Sequence, residues 1–187
     1  MNGKILYYEK GGKHNTGSTL NAAKERSLSL GIKKAVIATT HGYTALEAIK
    51  VFSGTGIEVI AVGLSHSCGS EGWVMTQEEK QRIEEAGAKV LVGLHSLSRG
   101  VSDAFGCNIS AEQVVAQTLY MFSQGMKVAV EVAIMAAEAG LVKSDEEIIA
   151  AGGSSEGCDT AIVLTPSFAW KLKDLKIHEI ICKPREP

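Results

Sequence analysis

The stretch Thr39-Thr40-His41-Gly42-Tyr43-Thr44 groups three threonine hydroxyls, an imidazole and a glycine between a short apolar run and a helix-like segment. A helix N-terminus carries partial positive charge and backbone N–H groups with no intrahelical partner. Hydroxyls beside such donors make a cradle for phosphate. A second candidate is Gly152-Gly153-Ser154-Ser155-Glu156-Gly157-Cys158-Asp159-Thr160, whose three glycines allow backbone conformations, or a close approach to a ligand, that other residues forbid. Each stretch also has a plain reading. The first can be a βα turn that Thr44 merely caps, and the second a long hairpin loop without a ligand.

Other groups point to different chemistry. His66-Ser67-Cys68 and His95 both follow apolar runs and, if they met, would offer two imidazoles and a thiolate to a metal. Zinc sites usually show tighter ligand pairs than this. Cys68, Cys107 or Cys158 as a nucleophile would need a lowered pKa and a positioned base. Neither a Walker A sequence nor GxGxxG is present, so the usual fingerprints for nucleoside triphosphates and dinucleotides are missing. Glu9, Lys10, Gly11, Gly12 and Asn15 form a polar loop that is either a solvated turn or a cover over a site.

The elements that must position these groups follow from periodicity. Lys4–Tyr8 is a short candidate strand. Asn15 or Thr16 can cap a helix to Leu30, stopped by Gly31. Ala35–Thr39 and Glu58–Val62 read as buried strands around a helix over Thr44–Phe52, where Thr44 and Glu47 have capping-box spacing. Thr76–Ala86, with a second box from Thr76 to Glu79, leads to a strand at Lys89–Val92. Strand and helix in alternation imply right-handed βαβ units and a parallel sheet. Residues 95–109 read as a Ser/Gly-rich loop or broken helix, and Ser110–Ser123 as a helix with a further box from Ser110 to Gln113. Gly125 is expected to interrupt before Lys127–Ala139, a helix apolar on nearly every side that must be buried by the fold or by a second subunit. Glu147–Ala151 and Thr160–Thr165 stand too close together for a parallel crossover, so they form an antiparallel pair. Ser144 and Glu147 also have capping-box spacing, but the run after them is short and β-branched and ends at Gly152, which favours a strand. Ile177–Cys182 is expected to be an edge strand.

Composition closes off several functions. The chain has 187 residues, net charge −2, 45% hydrophobic and 21% charged residues, the profile of an ordinary globular protein of one α/β domain. There is no basic footprint for nucleic acid or an anionic membrane. No apolar run reaches the length of a bilayer span and the start, MNGKILYYEKGGKHN, shows no apolar h-region of a signal peptide, so the expected compartment is the cytoplasm. There the four scattered cysteines are expected to be reduced.

The residues also carry a resemblance. AVIATTHGYTALEAI looks like the strand, phosphate loop and helix of the pyruvate kinase C-terminal α/β domain, where a TxSGxTA-type stretch binds a phosphorylated effector. EEIIAAGGSSEGCDTAIVL is similar to that domain's penultimate strand, glycine loop and final antiparallel strand. The runs GAKVLVGLHSLSRGVSDAFG, SQGMKVAVEVAIMAAEAGLV, GCDTAIVLTP and IHEIICKP resemble, in order, the free-standing prokaryotic proteins of the pyruvate kinase α/β-domain-like family. The resemblance implies a three-layer α/β/α fold with a mixed, mostly parallel sheet of order 3-2-1-4-5 and strand 5 antiparallel. It implies no pyruvate kinase activity, because the catalytic (β/α)8 barrel takes about 250 residues.

Members of the free-standing family resemble binders of flavin mononucleotide (FMN). By that resemblance the phosphate lies on Thr39, Thr40, His41, Gly42, Tyr43 and Thr44. Gly152, Gly153, Ser154, Gly157, Asp159 and Thr160 contact phosphate, ribityl chain or ring, while His66, Ser67, His95 and Ser96 border the isoalloxazine. This chain departs from the pattern by its histidine and tyrosine in TTHGYT, and at Ser167–Lys173 (SFAWKLK), where relatives carry an asparagine-containing segment. The alternative function is a non-catalytic sensor of a phosphorylated metabolite. A hydrolase or metal enzyme built on His66, Cys68 and His95 is the third. Edge strands and the apolar helix suggest a homo-oligomer.

Overall fold

The computed structural model describes residues 4–106 and 109–186, so Cys107, a candidate nucleophile above, lies outside the described residues. Seven strands form one sheet: β1 (Leu6–Tyr8), β2 (Lys34–Ala38), β3 (Glu58–Gly63), β4 (Lys89–Val92), β5 (Ile148–Gly152), β6 (Thr160–Thr165) and β7 (Lys176–Pro184). Their spatial order is β1-β7-β6-β5-β2-β3-β4. The strands β2 to β6 therefore lie in the order β4-β3-β2-β5-β6, the expected 3-2-1-4-5, and β6 pairs antiparallel with both β5 and β7. The helices are α1 (Thr16–Leu30), α2 (Tyr43–Phe52), α3 (Gln77–Glu85), α4 (Val101–Ala104), α5 (Ala111–Tyr120) and α6 (Gln124–Glu138).

Strand alternation builds two cores, one on each side of the sheet. Ala35 and Ile37 of β2, Ile149 and Ala151 of β5, and Ala161 and Val163 of β6 face α1 and α2. Val36, Ile148, Ala150, Ile162 and Leu164 face α6. The result is the three-layer α/β/α sandwich. Among the described residues no helix is long and apolar enough to cross a membrane.

Several local expectations are corrected by packing. Ile177–Cys182 is not an edge strand, because β1 pairs parallel with β7 and takes the edge itself. Gly125 does not interrupt a helix but sits in the first turn of α6. A Cβ there would lie 2.8 Å from Asp159 Oδ1 and also strike Thr160, so the glycine allows helix and loop to touch. Ser123 caps this helix by accepting from the Met126 N–H at 3.0 Å. Of the proposed capping boxes, only Thr76–Glu79 closes fully. Ser110 accepts from the Gln113 N–H, whereas the Gln113 amide goes to Asp103. α2 begins one residue earlier than expected, so Thr44 lies inside its first turn and Gly42, at φ 91°, is the N-cap. Asn15 caps nothing with its side chain; it donates to the Lys10 carbonyl at 2.7 Å and ties down the loop after β1. The apolar helix α6 is covered by the chain's own sheet and by α5, so its surface carries no argument for self-association.

Candidate functional site

β2 and β5 are parallel neighbours, with Ala35, Val36 and Ile37 opposite Ile149, Ala150 and Ala151. From β2 the chain crosses outward to β3 on one side, and from β5 it turns to β6 on the other. Strand order reverses between them, and in open α/β sheets a ligand crevice forms outside the carboxyl ends at such a point. Here a cleft of about 1140 Å³ opens there. One wall is Thr39, Thr40, His41, Tyr43 and Thr44, and the facing wall is 153–157. The end of β3, Trp73, His95 and Arg99 complete the lining together with Gln117, Tyr120, Gln124, Lys127 and Glu131 of α5 and α6.

The first wall leaves its donors open. No side chain caps α2, since its N-cap is Gly42, whereas side chains of Thr76, Ser110 and Ser123 cap α3, α5 and α6. The Gly42 N–H donates to Thr39 Oγ1 at 3.1 Å, which fixes the turn. The φ of 91° favours glycine here, and a Cβ would come within 2.9 Å of the flexible end of the Ile83 side chain. Thr40 and Thr44 line the cleft with no hydrogen-bond partner for either hydroxyl among the described residues. His41 is tied outward, its Nε2 2.9 Å from the Gly72 carbonyl and its Nδ1 3.2 Å from Glu79 Oε2. The Glu79 carboxyl is held below its usual range, chiefly by the Thr76 N–H and also by His41.

The glycine loop is built from within. Asp159 is fully buried. Its Oδ2 accepts from the Gly12 N–H at 2.7 Å and the Ser154 N–H at 3.1 Å, and its Oδ1 from the Thr160 hydroxyl at 3.0 Å. Thr160 also meets the Ser123 hydroxyl at 3.0 Å. The polar loop at 9–15 therefore docks on the glycine loop. Lys13 crosses between the two walls, 2.9 Å from Glu156 and 4.1 Å from the centre of the Tyr43 ring.

The cleft brings together Thr39, Thr40, His41, Tyr43, Thr44, His95, Gly153, Ser154 and Gly157. It does not include Gly42, Gly152, Asp159 or Thr160, which shape the walls from behind. At Gly152 a Cβ would meet the Gly125 carbonyl oxygen at 2.8 Å, so this glycine serves helix packing. His66 and Ser67 lie exposed on the 3-10 turn after β3 and do not line the cleft. Ser96 faces a separate cavity of about 520 Å³. Among the described residues no three His, Cys, Asp or Glu side chains assemble as a metal-binding group, so His66, Cys68 and His95 do not converge. Burial pushes the Cys158 thiol far above its ordinary range, the opposite of what a nucleophile needs.

Sequence reasoning missed the α5–α6 wall. Lys127 and Glu131 form a buried ion pair at 2.6 Å, their side chains only 5% and 6% exposed. Glu131 Oε1 accepts from the Leu97 N–H at 2.9 Å and the Ser98 hydroxyl at 3.1 Å. The i,i+4 spacing of opposite charges inside an otherwise apolar helix was the available signal.

Beside this pair, His95 Nε2 accepts from the Ser65 N–H at 3.4 Å. Burial lowers the His95 pKa; Glu131 opposes this, and Lys127 and Arg99 reinforce it. An imidazole lowered in the fold binds fewer protons than in the unfolded chain. Its stabilising effect is complete above the unfolded pKa of about 6.5 and is lost as pH falls toward the folded value. The thermal midpoint is expected to drop between pH 7 and pH 5, and to drop less in His95→Gln. Parallel pH curves for the two proteins would reject this assignment.

The fold is an α/β domain covered by helices on both faces of its sheet, with a cleft at the topological switch point. The family described as pyruvate kinase, alpha/beta domain, matches residues 17–164. The chain belongs to that family.

Proposed function

We propose that this protein binds a phosphate-bearing small ligand, FMN by preference, in the cleft between the Thr39–Thr44 turn and the glycine loop. The observation that carries the reading is the uncapped start of α2. Its free N–H groups and the unpartnered Thr40 and Thr44 hydroxyls line a cleft shared with Gly153, Ser154 and Gly157. Oriented N–H donors at a helix start favour a phosphate dianion.

The rest of the cleft suits the larger part of FMN. Its volume of about 1140 Å³ accommodates a mononucleotide. Tyr43, Trp73 and Tyr120 supply aromatic surface for a planar ring, and Gln117, Gln124 and Lys127 supply polar partners. When bound, FMN would supply electron and hydride transfer, and the protein would position and tune it. This chain's own part is to hold the phosphate on the α2 turn and to shield the ring between Trp73 and α6.

The visible spectrum of freshly purified protein is the direct test, followed by denaturation and identification of any released chromophore. Released FMN supports the reading. Colourless protein that takes up no added FMN, yet is stabilised by sugar phosphates, would instead establish a sensor of phosphorylated metabolites. Replacing Thr40 and Thr44 together by alanine is expected to weaken phosphate-ligand binding by about 1–3 kcal/mol, the worth of one or two hydrogen bonds with desolvation. Unchanged affinity in calorimetric titration would remove the α2 turn from the site.

A further inference from the structure

The buried pair on α6 has capacity that the phosphate reading leaves unused. An ammonium has three N–H donors. Lys127 spends one on Glu131 Oε2 at 2.6 Å and one on Ser98 Oγ at 3.2 Å. The face of Tyr120 also lies beside it, with the ring centre 5.9 Å away. Lys127, Glu131 and Tyr120 all line the cleft. Glu131 has less to offer a ligand, because its two oxygens already accept from Leu97, Ser98 and Lys127.

Charge decides what the third donor can take. A second phosphate dianion would be drawn by a free cation, but Lys127 is neutralised at contact distance by Glu131. Burying two charges in an apolar helix also costs desolvation that neutral packing would avoid. The arrangement suits an uncharged acceptor that arrives with its own polarity, and a carbonyl oxygen is such a group. Tyr120 beside the ammonium gives that group's planar framework a surface to lie against.

We propose that Lys127, held by Glu131 and Ser98, is the anchor for a carbonyl oxygen at the end of the ligand remote from its phosphate. The ligand class is then a phosphate monoester carrying a planar amide or imide, not a simple sugar phosphate. The proposal rests on the phosphate reading of the cleft and narrows it.

Calorimetric titration with glycerol 3-phosphate, uridine 5′-monophosphate and FMN tests it. The first has no carbonyl, and the other two carry imide carbonyls. The unmodified protein is expected to bind the imide monoesters at least about tenfold more tightly than glycerol 3-phosphate, the worth of a buried hydrogen bond to a charged donor. In a Lys127→Met, Glu131→Gln double variant, with its fold checked by circular dichroism, that preference is expected to shrink by about tenfold, the aromatic contacts of the cleft keeping any remainder. Its affinity for glycerol 3-phosphate should stay within about twofold. An undiminished preference in the folded double variant overturns the anchor, as does equal loss for all three ligands. If the double variant does not fold, the unmodified protein still decides, since equal binding of the three overturns the anchor and leaves the phosphate site standing. Failure of all three to bind the unmodified protein would overturn the phosphate reading itself, and the anchor with it.

Discussion

Lys127→Met alone is expected to destabilise the fold by about 3–5 kcal/mol, because it strands an almost fully buried carboxylate without its counter-charge. The Glu131 side chain is 6% exposed and packed in the middle of α6, between the sheet and α5. Its hydrogen bonds from Leu97 and Ser98 remain in the variant but do not supply the missing charge. Adding Glu131→Gln removes that charge and keeps an oxygen for the Leu97 N–H, so the double variant should recover most of the loss. Urea denaturation measures both, provided the slope with denaturant stays constant. A single-variant loss below about 1 kcal/mol would show that water reaches the pair, since exposed pairs are worth that little.

This pair marks the limit of what periodicity reveals. The pattern over Lys127–Ala139 correctly indicated a buried helix, yet a residue scale treats lysine and glutamate as breaks in an apolar face. Only the three-dimensional neighbours, Ser98 and Leu97 from a segment readable only as loop or broken helix, make the charges intelligible. Gly125 misled for a related reason. A glycine in a helical pattern ordinarily weakens it, but here the close approach of Asp159 and Thr160 demands the missing side chain. Both errors concern contacts between distant segments, which local spacing does not contain.

Strand assignments were more legible because they rest on short apolar runs whose burial is complete. Ile148–Gly152 is buried throughout, and competition from the Ser144–Glu147 capping pattern was settled correctly by length. In the turn before β5, Glu146 accepts from the Lys143 N–H and from Lys34. The misplacement of β7 at an edge came from β1: a short strand at Lys4–Tyr8 was expected, but its spacing does not say that it pairs along the far side of β7. For the cleft, chain topology was enough to bring Thr39–Thr44 and Gly152–Thr160 side by side. Which members face the ligand space depended on φ values and on hydrogen bonds such as those of Asp159, which no spacing encodes.

Gly157 shows how closely the second wall of the cleft is built. Its φ of 78° lies in the left-handed region, which costs a residue with a Cβ about 1–2 kcal/mol. A Cβ there would also lie 2.7 Å from Lys13 Cα, a backbone atom that cannot rotate away, and would strike the Thr16 hydroxyl. That hydroxyl accepts from the Cys158 N–H at 3.1 Å and donates to the Lys13 carbonyl at 2.7 Å, so it joins the start of α1 to the glycine loop. Gly157→Ala is therefore expected to lower stability by about 2–5 kcal/mol, combining strain with overpacking. Ligand affinity should fall as well, because relief requires the 153–157 wall to move away from Lys13. Denaturation and titration of the same variant check the two effects. A stable Gly157→Ala protein with unchanged affinity would mean that this loop shifts freely and does not form the rigid half of the site.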